Sequence, residues 1–255
     1  MTVSELYQFL DQRIPRSLSC EWDKDGLMCC PEPDREAKRV LLALDITEAV
    51  IDVAIEKKCD AILSHHPLVF HPVPSLTLER GVPRKLIRLV QNGISAMSFH
   101  TRLDAVEGGV NDVLAALLGL ENVSAFGYEG EQIGRVGALA SPLSLEDFAK
   151  FVKRVLATPV VLVGGKDVTV SRVAVLGGGG GSFIGAAEAC GADVLVSGRV
   201  DYHALADAPE GKIALIEAGH YYTECPVLPA LAEMVKSADG SIETIITESV
   251  NIRVI

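Results

Sequence analysis

The chain has 255 residues, of which 49% are hydrophobic and 5% aromatic, and its formal net charge is −11. This composition excludes a disordered chain and predicts an aliphatic core, built as one large domain or two small ones. The negative charge argues against non-specific binding to nucleic acid or to an anionic membrane, and it suits a protein that holds divalent cations.

The sequence carries no recognisable export or membrane signal. No apolar segment approaches the length of a membrane span, and the first residues lack the basic and apolar regions of a signal peptide. The six cysteines form no Cys-x-x-Cys pair, which argues against a zinc-thiolate framework. We therefore expect a cytoplasmic protein with reduced cysteines.

Helices and strands are predicted to alternate along the first half. Capping residues and apolar spacing predict helices over residues 2–14, 47–58 and 83–91, and a further helix that ends near residue 118. Short apolar runs predict strands at residues 27–30, 40–44, 60–63 and 94–99.

The second half repeats this alternation. The predicted strands lie near residues 136–140, 160–163, 173–176, 194–197, 213–217 and 242–247. The predicted helices cover residues 145–156, 183–189, 202–206 and 226–236, and Ser144 caps the first of them. This alternation predicts an α/β fold with two layers and largely parallel sheets.

The two halves also resemble each other in sequence. The run at residues 60–64 matches the run at residues 193–197, and each half later contains a His-x-x-x-acid segment. We interpret this as an internal duplication, with a first α/β repeat at residues 1–125 and a second at residues 126–255.

Two adjacent histidines, His65 and His66, follow a predicted buried strand. Ligands and catalytic groups in open α/β sheets collect just beyond the carboxyl ends of strands. Adjacent side chains of an extended backbone point in opposite directions. This pair is therefore better placed to serve two neighbouring metals, one each, than to chelate one together. The alternative is a pair of surface or capping histidines.

Two further histidines each precede a carboxylate by four residues, as His100 with Asp104 and His220 with Glu224. In a helical turn each pair shares one face. Mixed histidine and carboxylate ligands suit Zn, Fe, Mn, Co or Ni, and they differ from the all-oxygen ligands of calcium. A single such pair is usually a surface pair. Its repetition at equivalent positions of a duplicated chain favours metal binding.

Five consecutive glycines occupy residues 177–181. They match neither the dinucleotide fingerprint, because Ser182 stands where its third glycine would be, nor the P-loop, because no Gly-Lys-Ser/Thr follows. We interpret them as a tight strand-to-helix turn that allows close backbone approach. An anion at the start of the following helix is the alternative.

Three segments resemble the signatures of the Nif-three-like family. They read Ser-His-His-Pro-Leu-Val-Phe at residues 64–70, His-Thr-Arg-Leu-Asp at residues 100–104 and Gly-His-Tyr-Tyr-Thr-Glu at residues 219–224. The resemblance extends over nearly the whole chain. Members of this family are described as dinuclear metal-centre, hexameric proteins, often labelled GTP cyclohydrolase I type 2 homologues.

The resemblance implies two intertwined α/β repeats with mainly parallel mixed sheets, a homo-hexamer, and two divalent transition metal ions per subunit. The ligands that it implies are His65, His66, Asp104, His220 and Glu224, with His100 at the site or in contact with a ligand. Glu224 would bridge the two ions.

This sequence departs from the family pattern at two arginines. Arg199 stands where the family usually has Asp after Gly, and Arg102 stands where Asn is usual. Neither position is an expected metal ligand, so the departures concern substrate contacts and not metal binding.

Two functions are compatible with these residues. The first is a metal-dependent hydrolase that acts on a nucleotide or phosphoester, GTP cyclohydrolase-like by family label. Five ligands for two metals leave positions open for water or substrate, as in catalytic sites. The alternative is a non-catalytic metal-binding or regulatory protein.

Overall fold

A computed structural model describes residues 1–79 and 81–249. The described residues form two compact units. The first comprises Met1–Leu103 together with residues 228–249, and the second comprises Asp104–Val227. Each unit is built on its own sheet. Among the described residues, no helix is long and apolar enough to cross a membrane.

The described sheet of the first unit is mainly parallel. Its strands are β1 (Gly26–Cys29), β2 (Arg39–Ala43), β3 (Ala61–Ser64), β4 (Ser95–Ser98) and β11 (Glu243–Ile246). They lie in the order β1-β4-β3-β2-β11, in which β1 is antiparallel to β4 and the other neighbours are parallel. The register aligns Ala43 with Ser64 and Ser64 with Ser98. The carboxyl ends of β2, β3 and β4 therefore meet at one edge.

Helices cover this sheet. They are α1 (Val3–Arg13), α2 (Glu48–Glu56), α3 (Gly81–Gln91) and α10 (Leu228–Ala238). The predicted capping box of α1 is confirmed: the Thr2 hydroxyl accepts from the Glu5 N–H, and the Glu5 carboxylate accepts from the Thr2 N–H. The Thr47 hydroxyl caps α2 in the same way by accepting from the Val50 N–H.

The core of the first unit lies between the sheet and helices α2 and α3. Strand residues Leu41, Ile62 and Ala96 are completely buried there, next to Ile51 and Leu89 from the helices. β3 is buried at every position, which explains why its sequence is a continuous apolar run without alternation. This packing holds the strand that leads to His65 and His66 in a rigid position.

The described sheet of the second unit is mixed. Its strands are β5 (Leu120–Tyr128), β6 (Glu131–Ser144), β7 (Leu162–Gly164), β8 (Thr169–Gly179), β9 (Val194–Arg199) and β10 (Ala214–Glu217). They lie in the order β5-β6-β8-β9-β10-β7. β8, β9 and β10 are parallel, and β5, β6 and β7 pair antiparallel with their neighbours.

The remaining helices are α4 (Thr101–Ala105), α5 (Val110–Leu117), α6 (Leu145–Val155), α7 (Ile184–Ala189), α8 (Tyr202–Asp207) and α9 (His220–Glu224). Of these, α6, α7 and α8 lie at predicted positions, the predicted helix that ends near residue 118 is divided into α4 and α5, and α9 was not among the predicted helices. Ser144 caps α6, as predicted, by accepting from the Asp147 N–H. Phe148 and Val152 of α6 pack into a core with Val173 and Val194 of the sheet. This core supports the parallel strands of the second unit.

The predicted fold class is confirmed. Each unit contains three adjacent parallel strands with helices between them, β2-α2-β3-α3-β4 in the first and β8-α7-β9-α8-β10 in the second. The chain is intertwined, because α10 and β11 follow the second unit in sequence but pack in the first, where β11 pairs with β2. The repeat boundary near residue 125 stays a prediction. The division into two compact units reflects how residues pack, and it does not test whether the sequence arose by duplication.

One long hairpin differs from the sequence prediction. No strand was predicted at β5, and β6 is longer than its prediction at residues 136–140. Residues 121–125 of β5 are exposed, so they show no apolar alternation. The strand is set by pairing with β6 and not by its own apolar pattern.

Candidate metal site

Three histidines come together at the carboxyl edge of the first sheet. His65 and His66 follow β3, and His100 follows β4. The ring centroids are 4.9 Å apart for His65 and His66, 5.2 Å for His65 and His100, and 5.6 Å for His66 and His100. One ligand atom from each residue lies within 4.8 Å of the other two, so this histidine cluster could hold a metal ion.

The close approach of His65 and His66 differs from the expectation that their side chains point in opposite directions. That expectation assumed a strand through both residues, but β3 ends at Ser64 and the backbone bends at His65 and His66. The Ser64 hydroxyl donates to the His66 carbonyl oxygen at 2.7 Å and so holds this bend. Strand alternation does not apply beyond the end of a strand.

Each ring of the histidine cluster is anchored through its Nδ1 atom. His65 Nδ1 lies 3.1 Å from the Phe99 carbonyl oxygen, His66 Nδ1 lies 2.8 Å from Asp45 Oδ1, and His100 Nδ1 lies 2.9 Å from Asp23 Oδ1. A proton on Nδ1 satisfies each of these oxygens, which assigns metal ligation to Nε2. This is the arrangement in which proteins orient metal-binding histidines.

The carboxylate behind His100 is held in a dense hydrogen-bond network. Asp23 Oδ2 accepts from the Thr101 N–H at 2.9 Å and from the Thr101 hydroxyl. Burial alone would raise the pKa of the Asp23 carboxyl, but the hydrogen bonds from His100 and Thr101 outweigh burial and hold that pKa well below its usual range. The hydrogen bond to Asp23 Oδ1 therefore fixes the orientation of the His100 ring.

Aromatic side chains border one side of the histidine cluster. The ring of Trp22 lies 5.9 Å from the His100 ring in an edge contact and 6.2 Å from the Phe70 ring. His65 is completely buried, whereas His100 and His66 are partly exposed. The cluster is thus anchored in the protein and open towards solvent on one side.

The second unit brings His220 and Glu224 together. Both lie on α9, and His220 Nε2 is 3.0 Å from Glu224 Oε2, so the predicted sharing of one helical face is confirmed. Glu224 is buried and the His220 side chain is partly exposed. α9 follows β10, so this pair also lies beyond the carboxyl end of a parallel strand.

Glycines allow the backbone of the second sheet to approach α9 closely. A Cβ added to Gly178 would overlap the Glu224 carboxylate, and one added to Gly198 would lie 2.7 Å from His220 Cα. Gly178 also has a φ of +65°, which disfavours other residues. The predicted role of the glycine run in close backbone approach is confirmed. The backbone of this run packs directly against the Glu224 side chain.

Asp104 lies in the second unit, on α4, and its side chain is buried. Its backbone carbonyl accepts a hydrogen bond from Asn111 Nδ2 at 3.3 Å, and the same amide group donates to the Ile133 carbonyl at 2.9 Å. Asn111 Oδ1 accepts in turn from the Gly177 N–H. Asn111 therefore ties the helix that carries Asp104 to the start of the glycine run.

The two unusual arginines have different environments. Arg102 is completely buried, and its Nε donates to Asp25 Oδ2 at 2.8 Å while its Nη1 donates to Asp11 Oδ1 at 2.7 Å. Arg102 is therefore a structural residue, contrary to the expectation of a substrate contact. Arg199 ends β9 and is exposed.

Sequence reasoning missed the residues that orient the histidines. Asp45 follows β2 as the histidines follow β3 and β4, so the three-strand edge could have indicated Asp45. Asp23 lies on an irregular loop before β1, and no spacing rule connects it with His100. Its Asp-x-Asp pattern with Asp25 is the one local signal. Asp25 Oδ2 accepts from the His100 N–H at 2.9 Å.

The fold and the site define an α/β protein with nitrogen and carboxylate side chains that could hold a metal ion. The donor chemistry fits divalent transition metals, because imidazole and carboxylate are ligands that such metals accept, and oxygen acceptors orient the imidazoles. The chain belongs to the Duf34/NIF3 (NGG1p interacting factor 3) family, whose model matches residues 1–251. The family resemblance drawn from the three motifs is confirmed.

Individual relatives match over nearly their whole length. A Clostridium acetobutylicum protein named GTP cyclohydrolase 1 type 2 homolog is 32% identical over 246 residues, which cover 93% of this chain and 91% of the relative. A Staphylococcus aureus crystal structure matches with a TM-score of 0.90 and 28% identity, covering 100% of this chain and 99% of that one. Reduced HcgD from Methanocaldococcus jannaschii matches with a TM-score of 0.84 and 33% identity, covering 96% and 97%.

Proposed function

We propose that this chain binds two divalent transition metal ions, from among Zn, Fe, Mn, Co and Ni, and acts as a metal-dependent hydrolase on a nucleotide or phosphoester. The observation that carries the metal proposal is the histidine cluster, in which each Nδ1 atom is anchored by an oxygen acceptor. Histidines oriented in this way are ready to ligate a metal through Nε2 without further ordering.

Each compact unit supplies its own set of proposed ligands. His65, His66 and His100 belong to the first, and Asp104, His220 and Glu224 belong to the second. The carboxylates supply negative charge that imidazoles lack, and a carboxylate has two oxygens with which to contact cations. We further propose that Glu224 is the most sensitive ligand for this reason.

The hydrolase proposal follows from the name of the relatives, GTP cyclohydrolase 1 type 2 homolog, and from the small number of ligands. Bound divalent metals supply an activated water and stabilise negative charge on the substrate. The chain's own contribution is to orient the histidine rings that would ligate the metals. Asp23 and Asp45 hold the His100 and His66 rings, and the partial exposure of these rings leaves a path for substrate.

The family resemblance also supports a homo-hexamer as the working form. We propose the cytoplasm as its location, as expected from cysteines that are most simply reduced. Light scattering of the purified protein at micromolar concentration tests the assembly. We expect a species of six chains, and a lone chain of 27.1 kDa would contradict it.

The experiment that tests the function compares metal-free protein with protein reloaded separately with each of the five metals. Each sample is analysed for bound metal and assayed against GTP and a panel of phosphoesters. The matched control is the double variant His65→Ala, His66→Ala, which removes two of the anchored rings. We expect turnover that requires metal and is lost in this variant.

Two other outcomes separate the parts of the proposal. Metal binding without turnover of any substrate would contradict the hydrolase and favour the alternative, a non-catalytic metal-binding or regulatory protein. Turnover that persists unchanged in the double variant would show that the activity does not depend on the histidine cluster.

A further inference from the structure

A cavity of about 610 Å³ opens at the carboxyl edge of the second sheet. It is lined by Gly179, Gly181, Ser182, Arg199, Asp201 and Tyr202. A cavity of this volume falls in the range of pockets that hold a small organic ligand. Its position agrees with the rule that ligands of α/β sheets bind outside the carboxyl ends of parallel strands.

The topology places this cavity next to the proposed metal ligands of the same unit. Gly179 and Arg199 are paired across β8 and β9, and each stands at the end of its strand. Gly178, one residue before Gly179, packs against the Glu224 carboxylate. Adjacent residues of one strand end therefore border the cavity, at Gly179, and contact Glu224, at Gly178.

Arg199 is the cation of this cavity. Several arginines of the described chain form ion pairs with carboxylates, namely Arg35 with Asp60, Arg39 with Glu243, Arg88 with Glu48, Arg102 with Asp25 and Arg135 with Asp112. Across the part of the chain that the structure describes, no carboxylate forms an ion pair with Arg199. In a protein of net charge −11, an exposed arginine that no described carboxylate pairs with is available for an external anion.

The carboxylate of the cavity, Asp201, caps a helix. Asp201 Oδ1 accepts from the His203 N–H at 3.1 Å and caps α8. The neighbouring Val200 N–H donates to Glu217 Oε2 at 2.7 Å, so the turn after Arg199 is held at both residues. Arg199 is therefore presented from a fixed backbone.

Tyr202 supplies a flat apolar surface. It is 76% exposed, the highest value among the large hydrophobic side chains of the described residues. Its ring meets His203 at an interplanar angle of 75° with centroids 5.3 Å apart, and this is not a stacked contact. An exposed aromatic ring of this kind stacks favourably with a planar heterocycle.

We infer that this cavity is the nucleotide-binding pocket, in which Arg199 binds the phosphate groups and Tyr202 stacks on the base. The inference rests on the proposed function for its choice of ligand, a nucleoside phosphate. Arg199 is then a specificity-determining residue of this chain, because it is the one cationic side chain among the described residues that line the cavity.

The test measures binding in metal-free protein with a chelator present, so that no contribution of bound metal or of turnover enters. The probes are GTP, guanosine and inorganic phosphate, and the readout is the dissociation constant from calorimetry. We expect saturable binding of GTP that is tighter than that of either fragment. Arg199→Met weakens GTP binding by about tenfold or more and leaves guanosine binding unchanged, since charge-assisted hydrogen bonds to phosphate are lost.

The Tyr202 variants test the stacking contact. Tyr202→Ala weakens both GTP and guanosine, and Tyr202→Phe retains both. Gly179→Leu blocks binding by filling the cavity, because a Cβ at Gly179 meets no atom within 4 Å. The matched control is Lys212→Met, which removes an exposed cation of the same unit at the amino end of β10. Circular dichroism of each variant verifies folding.

The inference is overturned if the wild-type protein shows no saturable GTP binding at millimolar concentration, or if Arg199→Met binds GTP as tightly as Lys212→Met does. GTP binding that depends on Arg199, without metal-dependent turnover, supports the pocket and contradicts the hydrolase. The two proposals therefore fail by different results.

Discussion

Replacing Arg102 by Met is expected to destabilise the first unit strongly. The Arg102 side chain is completely buried, and so is nearly all of Asp25, whose Oδ2 accepts from Arg102 Nε. Arg102 Nη1 also donates to the Ile14 carbonyl at 2.9 Å, and its guanidinium lies 4.4 Å from the centre of the Phe99 ring. Met keeps much of the apolar volume but removes the charge and every donor.

The magnitude follows from the charge left behind. Removing one partner of a buried ion pair costs about 3–5 kcal/mol, because the remaining carboxylate stays buried without its opposite charge. The second partner, Asp11, is 36% exposed and adds little, since water can solvate it. For a chain of this length, about 2–4 °C per kcal/mol gives a fall in melting temperature of about 6–20 °C.

The assay uses the one tryptophan of the sequence. Trp22 lies in the first unit beside Phe70 and His100, so its fluorescence in urea reports the unfolding of that unit. A chelator is present throughout to exclude stabilisation by metal. Arg199→Met is the matched control, and its exposed site predicts a change within about 0.5 kcal/mol.

A second substitution tests the explanation itself. In the Arg102→Met background, Asp25→Asn removes the uncompensated charge and is expected to restore part of the lost stability. If Arg102→Met unfolds at the same urea concentration as Arg199→Met, the buried ion pair does not stabilise the unit and the reasoning is refuted.

Three further predictions concern the carboxylate that anchors His66, the glycine run and a buried thiol. Asp45→Asn is expected to weaken metal binding about 10–100-fold, because the side chain no longer holds the His66 ring as a charged acceptor. Competition with a chromogenic chelator measures this affinity. The control variant Asp34→Asn, at an exposed position, should bind metal as the wild type does. Gly178→Ala should destabilise the second unit through overlap with Glu224, whereas Gly179→Ala should not, as thermal melts will show. Burial raises the pKa of the Cys59 thiol to about 11. Its alkylation at pH 8 should be about 100-fold slower in native than in unfolded protein, as read by mass spectrometry.

Local signals predicted most elements of the two sheets. Thr2, Thr47 and Ser144 identify three helix starts, because each hydroxyl accepts from a backbone N–H that the helix leaves unpaired. The buried parallel strands were recognisable as short apolar runs. β5 was not recognisable, since its exposed middle is held by pairing with β6.

The site was predictable where its residues are close together in sequence, and it was not predictable where it depends on tertiary contacts. The spacing of His220 and Glu224 predicted their contact on one helical turn. The anchoring of His100 by Asp23 joins residues 77 positions apart, and no local pattern connects them. Arg102 illustrates the same limit, because its partners Asp11 and Asp25 are far away in sequence and its burial is decided by packing.

The central claim is that the anchored histidines and the carboxylates of α4 and α9 bind metal. The most direct measurement is the metal content of purified protein after loading and dialysis, compared among the wild type, His65→Ala and Glu224→Gln. The account predicts about two ions per chain in the wild type, a loss mainly of one ion in His65→Ala, and a larger loss in Glu224→Gln, where the charge is removed but the shape is kept. Wild-type metal content in both variants would contradict it.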